Sequence, residues 1–408
     1  MSKLKKYFMN AVLIALSIFI SLVFAEIALR VLGVTYPNLY TVDPYAGKRL
    51  KPGAEGWFTE EGGSYVKINS DGFRDKEHTR EKALNTVRIV VLGDSYTEAL
   101  QVPQEKAFWS VMEQELNRCK AFPGKSVEVI SLGVSGYGTA QQLQTLEHRA
   151  WSYKPDIVLL AFFTGNDIRN NSKELEPKWR NLRPFYQYQD GKLILDDSFK
   201  NTTAYKLQSS IVGRTYADLS SHLRTLQLLS KAFFRTLYLL SVAKNSILQH
   251  PEASPKVVGG ALAIMEAGLD NNYEEPKIQA YKDAWAMTEG LIVKMRDEVR
   301  ERGVNFFLVT LSNGHQVYPD AELRKSFAKE LGINDLFYPD RRIEALAVKE
   351  SIPHLILAPE LAKYADKNKV FLHGFTNTKM GLGHWNENGH VLAGELISNN
   401  LCNVGWNR

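Results

Sequence analysis

Five short apolar runs govern what this chain can fold into: Val87 to Leu92, Val127 to Leu132, Ile157 to Phe163, Asn305 to Leu311 and Ile352 to Leu357. None shows the polar alternation of a half-solvated strand, and segments with helical apolar spacing separate them. Strands that are apolar on both faces and alternate with helices predict a parallel sheet covered by helices on each side. With 408 residues, 44% of them hydrophobic, the chain can bury a core of that size.

The alternation breaks between roughly residues 168 and 280, which reads as an insertion because compact α/β domains seldom carry such long connections. Inside it, Phe185-Tyr186-Gln187-Tyr188 and Lys192-Leu193-Ile194-Leu195 flank Gln189-Asp190-Gly191, the pattern of a hairpin. Residues 203–250 follow with helical spacing. Leu226, Leu228, Leu229, Phe233, Leu237 and Leu240 fall on or near one stripe, which is expected to face a core.

From Tyr7 to Ala25 there is no charged side chain, and Lys3, Lys5 and Lys6 stand before that run. Its length suits a membrane-crossing helix, and the lysines favour a cytoplasmic N-terminus with the rest of the chain on the periplasmic or extracellular side. A cleaved signal peptide is the competing reading, with Val23 and Ala25 as its small residues. The resumption of apolar character at Ile27 to Leu32 favours an uncleaved anchor. The expected plan is a cytoplasmic tip and anchor at 1–34, a membrane-proximal lead-in at 35–86 and an α/β domain at 87–408. A formal charge of +5, dispersed along the chain, gives no support to nucleic-acid binding. Cys119 and Cys402 are the two cysteines; an oxidising compartment would permit a disulfide, but the expectation is two unpaired buried thiols.

Val91-Leu92-Gly93 followed by Asp94-Ser95 and a helical pattern places Ser95 at the C-terminal edge of the sheet, where open α/β sheets bind ligands. A hydroxyl there meets substrate beside a helix N-terminus able to hold developing negative charge. Taken alone, Ser95 is as readily a helix cap. Three further segments reach the same edge: Leu132-Gly133-Val134-Ser135-Gly136-Tyr137-Gly138-Thr139, Thr164-Gly165-Asn166-Asp167, and Gly383-His384-Trp385-Asn386-Glu387-Asn388-Gly389-His390.

In these four blocks, and in their order, the sequence resembles the SGNH hydrolases, also called GDSL esterases. The resemblance covers roughly residues 87–167 and 352–398 and implies a flavodoxin-like three-layer α/β/α domain. It implies Ser95 as nucleophile, Gly136 and Asn166 as oxyanion-hole donors, His384 as general base, and no cofactor or metal. The family's orienting Asp, two or three residues before its histidine, is absent: Gly381 and Leu382 occupy those positions. Asp366 and Glu387 are candidates by proximity in sequence alone.

His390 and His373 match no standard metal-ligand spacing, and His390 is expected to cap or pack the last helix. Trp385 is expected to pack the histidine loop, with an aromatic sugar platform as its alternative, Asp94 and Asp167 to bond loop backbones, and Arg74 to lie on the solvated surface.

His384-Trp385-Asn386 is similar to the histidine block of SGNH-like proteins that O-acetylate exported polysaccharides such as alginate. The resemblance therefore implies a serine esterase acting on ester groups, O-acetyl above all, of an acylated envelope or exported polysaccharide. A polysaccharide O-acetyltransferase of the same fold is the nearest alternative and would need a membrane acyl-donor partner or a soluble donor. A lipase or lysophospholipase, and a non-catalytic polysaccharide-assembly protein, complete the set.

Overall fold

The computed structural model describes residues 3–176, 182–247 and 269–403. Stretches 177–181 and 248–268 of the expected insertion lie outside the described residues, as do residues 1–2 and 404–408. The chain begins with α1 (Lys3–Val31), whose segment Lys5–Val31 is long and apolar enough to cross a membrane, with mean hydropathy 2.6 and its apolar window unburied. Two antiparallel hairpins follow, β1 (Tyr40–Asp43) with β2 (Gly47–Leu50) and β3 (Glu55–Phe58) with β4 (Ser64–Lys67).

Next come β5 (Thr86–Leu92), α2 (Ser95–Glu98), α3 (Phe108–Cys119), β6 (Ser126–Ser131), α4 (Thr139–His148), β7 (Ile157–Phe163) and α5 (Asp167–Asn170). The insertion supplies the expected hairpin, β8 (Phe185–Gln189) with β9 (Lys192–Asp196), then α6 (Thr203–Ser209), α7 (Ile211–His222) and α8 (Arg224–Ile247). The remainder is α9 (Gln279–Glu301), β10 (Asn305–Leu311), α10 (Gly314–Val317), α11 (Ala321–Leu331), α12 (Tyr338–Lys349), β11 (His354–Ile356), α13 (Ala358–Asn368) and α14 (Glu387–Asn403).

All five runs anticipated as strands form one parallel sheet in the order β6-β5-β7-β10-β11. Numbered by their appearance in this sheet, the order is 2-1-3-4-5, the flavodoxin-like arrangement. Successive residues of β5 serve opposite faces, as strand periodicity requires. Ile89 and Val91 pack with Phe108, Met112, Leu361 and Ile397 of α3, α13 and α14. Val90 and Leu92 pack with Leu143, Trp285, Leu291 and Ile343 of α4, α9 and α12. Both faces of the sheet are thus covered, giving three layers.

Two expectations are corrected. Cys119 and Cys402 are not free thiols; they form a disulfide with their Cα atoms 6.5 Å apart. Helices α3 and α14 pack on the same face of the sheet, which brings their C-terminal ends together across 283 residues of sequence. Of the stripe on α8, Leu229, Phe233 and Leu240 are exposed and do not lie in a core; the Leu237 side chain lies outside the described residues. The helix instead turns its polar Gln227 inward, where it is buried and bonded to Thr35 and to the Tyr36 N–H.

Candidate active site

Strand β5 ends at Leu92, and the chain turns through Gly93 and Asp94 into α2, which begins at Ser95. Asp94 caps that helix, its Oδ1 accepting the Tyr96 N–H at 3.0 Å. The strands on either side of β5 are β6 and β7, and the loops leaving their C-terminal ends carry Gly136 and Asn166. Ser95 thus stands at the point where the strand order reverses direction, between the two loops expected to supply oxyanion donors.

Gly136 has φ +71°, a conformation that disfavours a side chain. The turn is steadied by Glu98, a buried carboxylate that accepts the Ser135 N–H and, at 2.7 Å, the Tyr40 hydroxyl. Asn166 is the N-terminal cap residue of α5. The next residue, Asp167, is fully buried and accepts the Phe163 N–H at 3.2 Å and the Gln142 amide at 3.3 Å. Burial raises the carboxyls of both Asp94 and Asp167 above the usual range. Both bond backbone N–H groups as anticipated, but at the start of α2 and the end of β7 and not in loops.

The far end of the chain brings in the histidine. His384 Nε2 lies 2.8 Å from Ser95 Oγ. Its loop is fixed through the Gly383 carbonyl, which accepts hydrogen bonds from the Tyr96 hydroxyl at 3.1 Å and from His373 Nδ1 at 2.7 Å. His373 Nε2 in turn meets Ser312 Oγ at 3.1 Å, and that hydroxyl accepts the Trp385 indole N–H at 2.9 Å. Burial pushes His373 down to about 3, so it is neutral and bonds the carbonyl as an N–H donor. Trp385 is fully buried, which fits packing and not a sugar platform.

A carboxylate faces the other nitrogen of the His384 ring: Glu61, in the turn between β3 and β4. Its Oε2 bonds His384 Nδ1 at 2.5 Å and its Oε1 accepts the His384 backbone N–H at 2.9 Å. Asn377 clamps this turn beside the histidine loop, accepting the Gly62 N–H at 3.0 Å and donating to the carbonyls of Gly62 at 2.8 Å and Thr59 at 3.2 Å. Gly383 makes the approach possible: a Cβ there would lie 2.2 Å from Glu61 Oε1. Burial opposes an imidazolium at His384, but the Glu61 carboxylate more than offsets it and holds the histidine above its ordinary value. Burial raises Glu61 as well, yet its bonds to His384 prevail and lower it.

Neither residue suggested by sequence proximity fills this role. Asp366 is taken up by Arg324, in a two-pronged ion pair at 2.7 and 2.8 Å. Glu387 is an exposed first residue of α14. His390 is buried, with Nδ1 3.4 Å from the Phe108 N–H and its ring stacked on Phe108, so it packs the start of the last helix. Arg74 is not on the surface. It is buried and donates to the carbonyls of Glu98, Ala99 and Val102, tying down the segment that follows α2.

A parallel sheet in this order carries a serine, a histidine and a carboxylate in series at its switch point. The sheet order is the one that the resemblance to SGNH hydrolases implies. No protein-family model and no curated protein matches the sequence. Among solved structures, the chain is similar to an acetyl xylan esterase at 13% identity over 77% of this chain and 98% of that one, with a TM-score of 0.35. It is similar to a lipase/acylhydrolase from Enterococcus faecalis at 13% identity over 78% and 95%, with a TM-score of 0.34. An acetyl-xylooligosaccharide esterase from Geobacillus is similar at 11% identity over 79% and 96%, with a TM-score of 0.35. At these values the reading rests on the sheet order and on the Ser95, His384 and Glu61 geometry.

Proposed function

We propose that the chain is a membrane-anchored serine esterase of SGNH type, removing ester groups, O-acetyl above all, from an envelope or exported polysaccharide. The observation that carries the reading is the continuous relay from Ser95 Oγ through the His384 ring to the Glu61 carboxylate. In this reading α1 is the anchor and the α/β domain faces the periplasm or exterior. The Cys119–Cys402 disulfide fits such an oxidising compartment.

Two half-reactions make up the proposed chemistry. His384 Nε2 takes the Ser95 proton as Oγ adds to the ester carbonyl, and Glu61 stabilises the imidazolium and fixes its tautomer. The carbonyl electron pair moves onto oxygen, where the backbone N–H groups of Ser95 and Gly136 and the side-chain amide of Asn166 receive it. Collapse of the tetrahedral species breaks the bond to the sugar oxygen, which takes the proton from His384 and leaves as an alcohol. Water, deprotonated by the same histidine, then adds to the acyl-serine and frees the carboxylic acid and Ser95.

The test is release of acetate from a purified O-acetylated polysaccharide, set against release of fatty acid from a phospholipid, with Ser95→Ala as control. Acetate release that requires Ser95 supports the proposal. Fatty-acid release without acetate release would move the substrate to lipid.

A further inference from the structure

Helices α7 and α8 each bury a polar side chain while leaving apolar ones exposed. Their polar side chains Ser220 and Gln227 are buried, Ser220 accepting the Asn38 amide at 3.0 Å and Gln227 the Tyr36 N–H at 3.0 Å. Several of their apolar side chains are exposed. Val212, Tyr216 and Leu219 recur at i, i+4 and i+7 of α7, with Val212 72% exposed; on α8, Leu229 and Phe233 are 59% and 60% exposed. An amphipathic helix turns its apolar stripe toward its apolar neighbour, and a continuous exposed stripe marks a contact surface.

What lies against that stripe is indicated by where the two helices are fastened. Helix α8 begins at Arg224 after Leu223, a residue with no side-chain acceptor, so its first N–H groups need partners from elsewhere. Glu26, in the last turns of α1, supplies them: its carboxylate accepts the N–H groups of Arg224 at 3.1 Å and Thr225 at 2.9 Å, and the Thr225 hydroxyl at 3.0 Å. The exchange is reciprocal. Arg224 donates to the carbonyls of Leu29 at 3.0 Å and Arg30 at 3.4 Å, and Arg30 donates to the His222 carbonyl at 2.7 Å.

The junction of α7 and α8 is therefore locked to the end of the apolar span. Trp57 and Tyr65, both about half exposed, line a recess of 440 Å³ together with Arg30 and Arg224. Aromatic rings with arginines at that level are the side chains that favour a membrane–water boundary.

We propose that α7 and the first half of α8 rest on the bilayer that α1 crosses, with Val212, Tyr216, Leu219, Leu229 and Phe233 in its interfacial layer. The inference rests on the reading of α1 as an anchor. It also bears on the active site. Six residues past Thr225, about 9 Å along α8, Lys231 pairs with Glu60, the neighbour of Glu61. The helix that lies on lipid thus also braces the turn carrying the Glu61 carboxylate, and holds the catalytic domain at a fixed attitude to the membrane.

The experiment uses the full-length, unsubstituted chain in nanodiscs containing a phospholipid with a diazirine in its acyl chain. After irradiation, adducts are mapped by peptide mass spectrometry. Adducts are expected in α1 and in the segment 211–233, with α12, whose Val348 is 66% exposed, serving as background. Adducts in α1, with 211–233 no higher than α12, would overturn this inference and leave the anchor standing. No adducts in α1 would overturn the anchor reading and this inference with it.

Discussion

Glu61 and His384, 323 residues apart in the chain, are joined twice: one carboxylate oxygen bonds the imidazole Nδ1 and the other accepts the histidine's own backbone N–H. The first bond sets the tautomer that leaves Nε2 free to accept a proton from Ser95, and the second fixes the position of the residue itself. The carboxylate comes from a separate hairpin, whereas the resemblance to SGNH hydrolases implies an Asp just before the histidine.

Glu61→Gln keeps the size of the side chain and removes its charge. The variant is expected to lose about 10³- to 10⁴-fold in kcat on a soluble aryl ester, with KM changed far less, because the carboxylate acts on the imidazolium of the transition state. Steady-state kinetics on folded protein checks this. A loss below tenfold would mean that Glu61 is not the orienting group.

The pH profile supplies a second check. Catalysis needs His384 neutral, so kcat/KM falls as pH drops through its pKa. Glu61 holds that pKa above its ordinary value, so removal of the charge moves the acid limb to lower pH. An acid limb displaced to higher pH in Glu61→Gln would contradict the account.

Asn166 stands in the loop after β7, beside the strand that delivers Ser95. Asn166→Ala is expected to lower kcat by about 10²- to 10³-fold, the usual cost of one oxyanion donor. Fluorophosphonate labelling of Ser95 should persist in this variant, though more slowly. Unchanged kcat would remove Asn166 from the site.

The Cys119–Cys402 bond closes 283 residues of chain. Replacing both cysteines with serine is expected to destabilise the fold by about 2–4 kcal/mol, chiefly by freeing the unfolded chain. Denaturant melts of the oxidised protein and the double variant measure the difference. Because the bond joins the far ends of α3 and α14, activity at room temperature should survive.

What the sequence revealed depended on how local the signal was. The five sheet strands were legible because each is apolar on both faces, and Ser95 and His384, which the structure brings together, were singled out because their sequence blocks resemble those of SGNH hydrolases. Glu61 was not. It lies in Thr59-Glu60-Glu61-Gly62-Gly63, an unremarkable polar turn, and only the packing of β3–β4 against the histidine loop gives it a role. An acidic residue beside paired glycines was the available signal, and it is common in turns that do nothing. The disulfide escaped for the same reason, since pairing Cys119 with Cys402 requires knowing that α3 and α14 share a face. The stripe on α8 was visible, but the reading assumed an interior partner and the structure leaves Leu229, Phe233 and Leu240 exposed.

Ser95 is proposed as a nucleophile activated by His384 and Glu61. The most direct test of that role is labelling of the full-length protein with a fluorophosphonate, followed by mass spectrometry of the modified peptide. The account predicts stoichiometric phosphonylation at Ser95, abolished in Ser95→Ala and strongly slowed in His384→Ala. Folded protein that takes no label, or takes it at another residue, would contradict it.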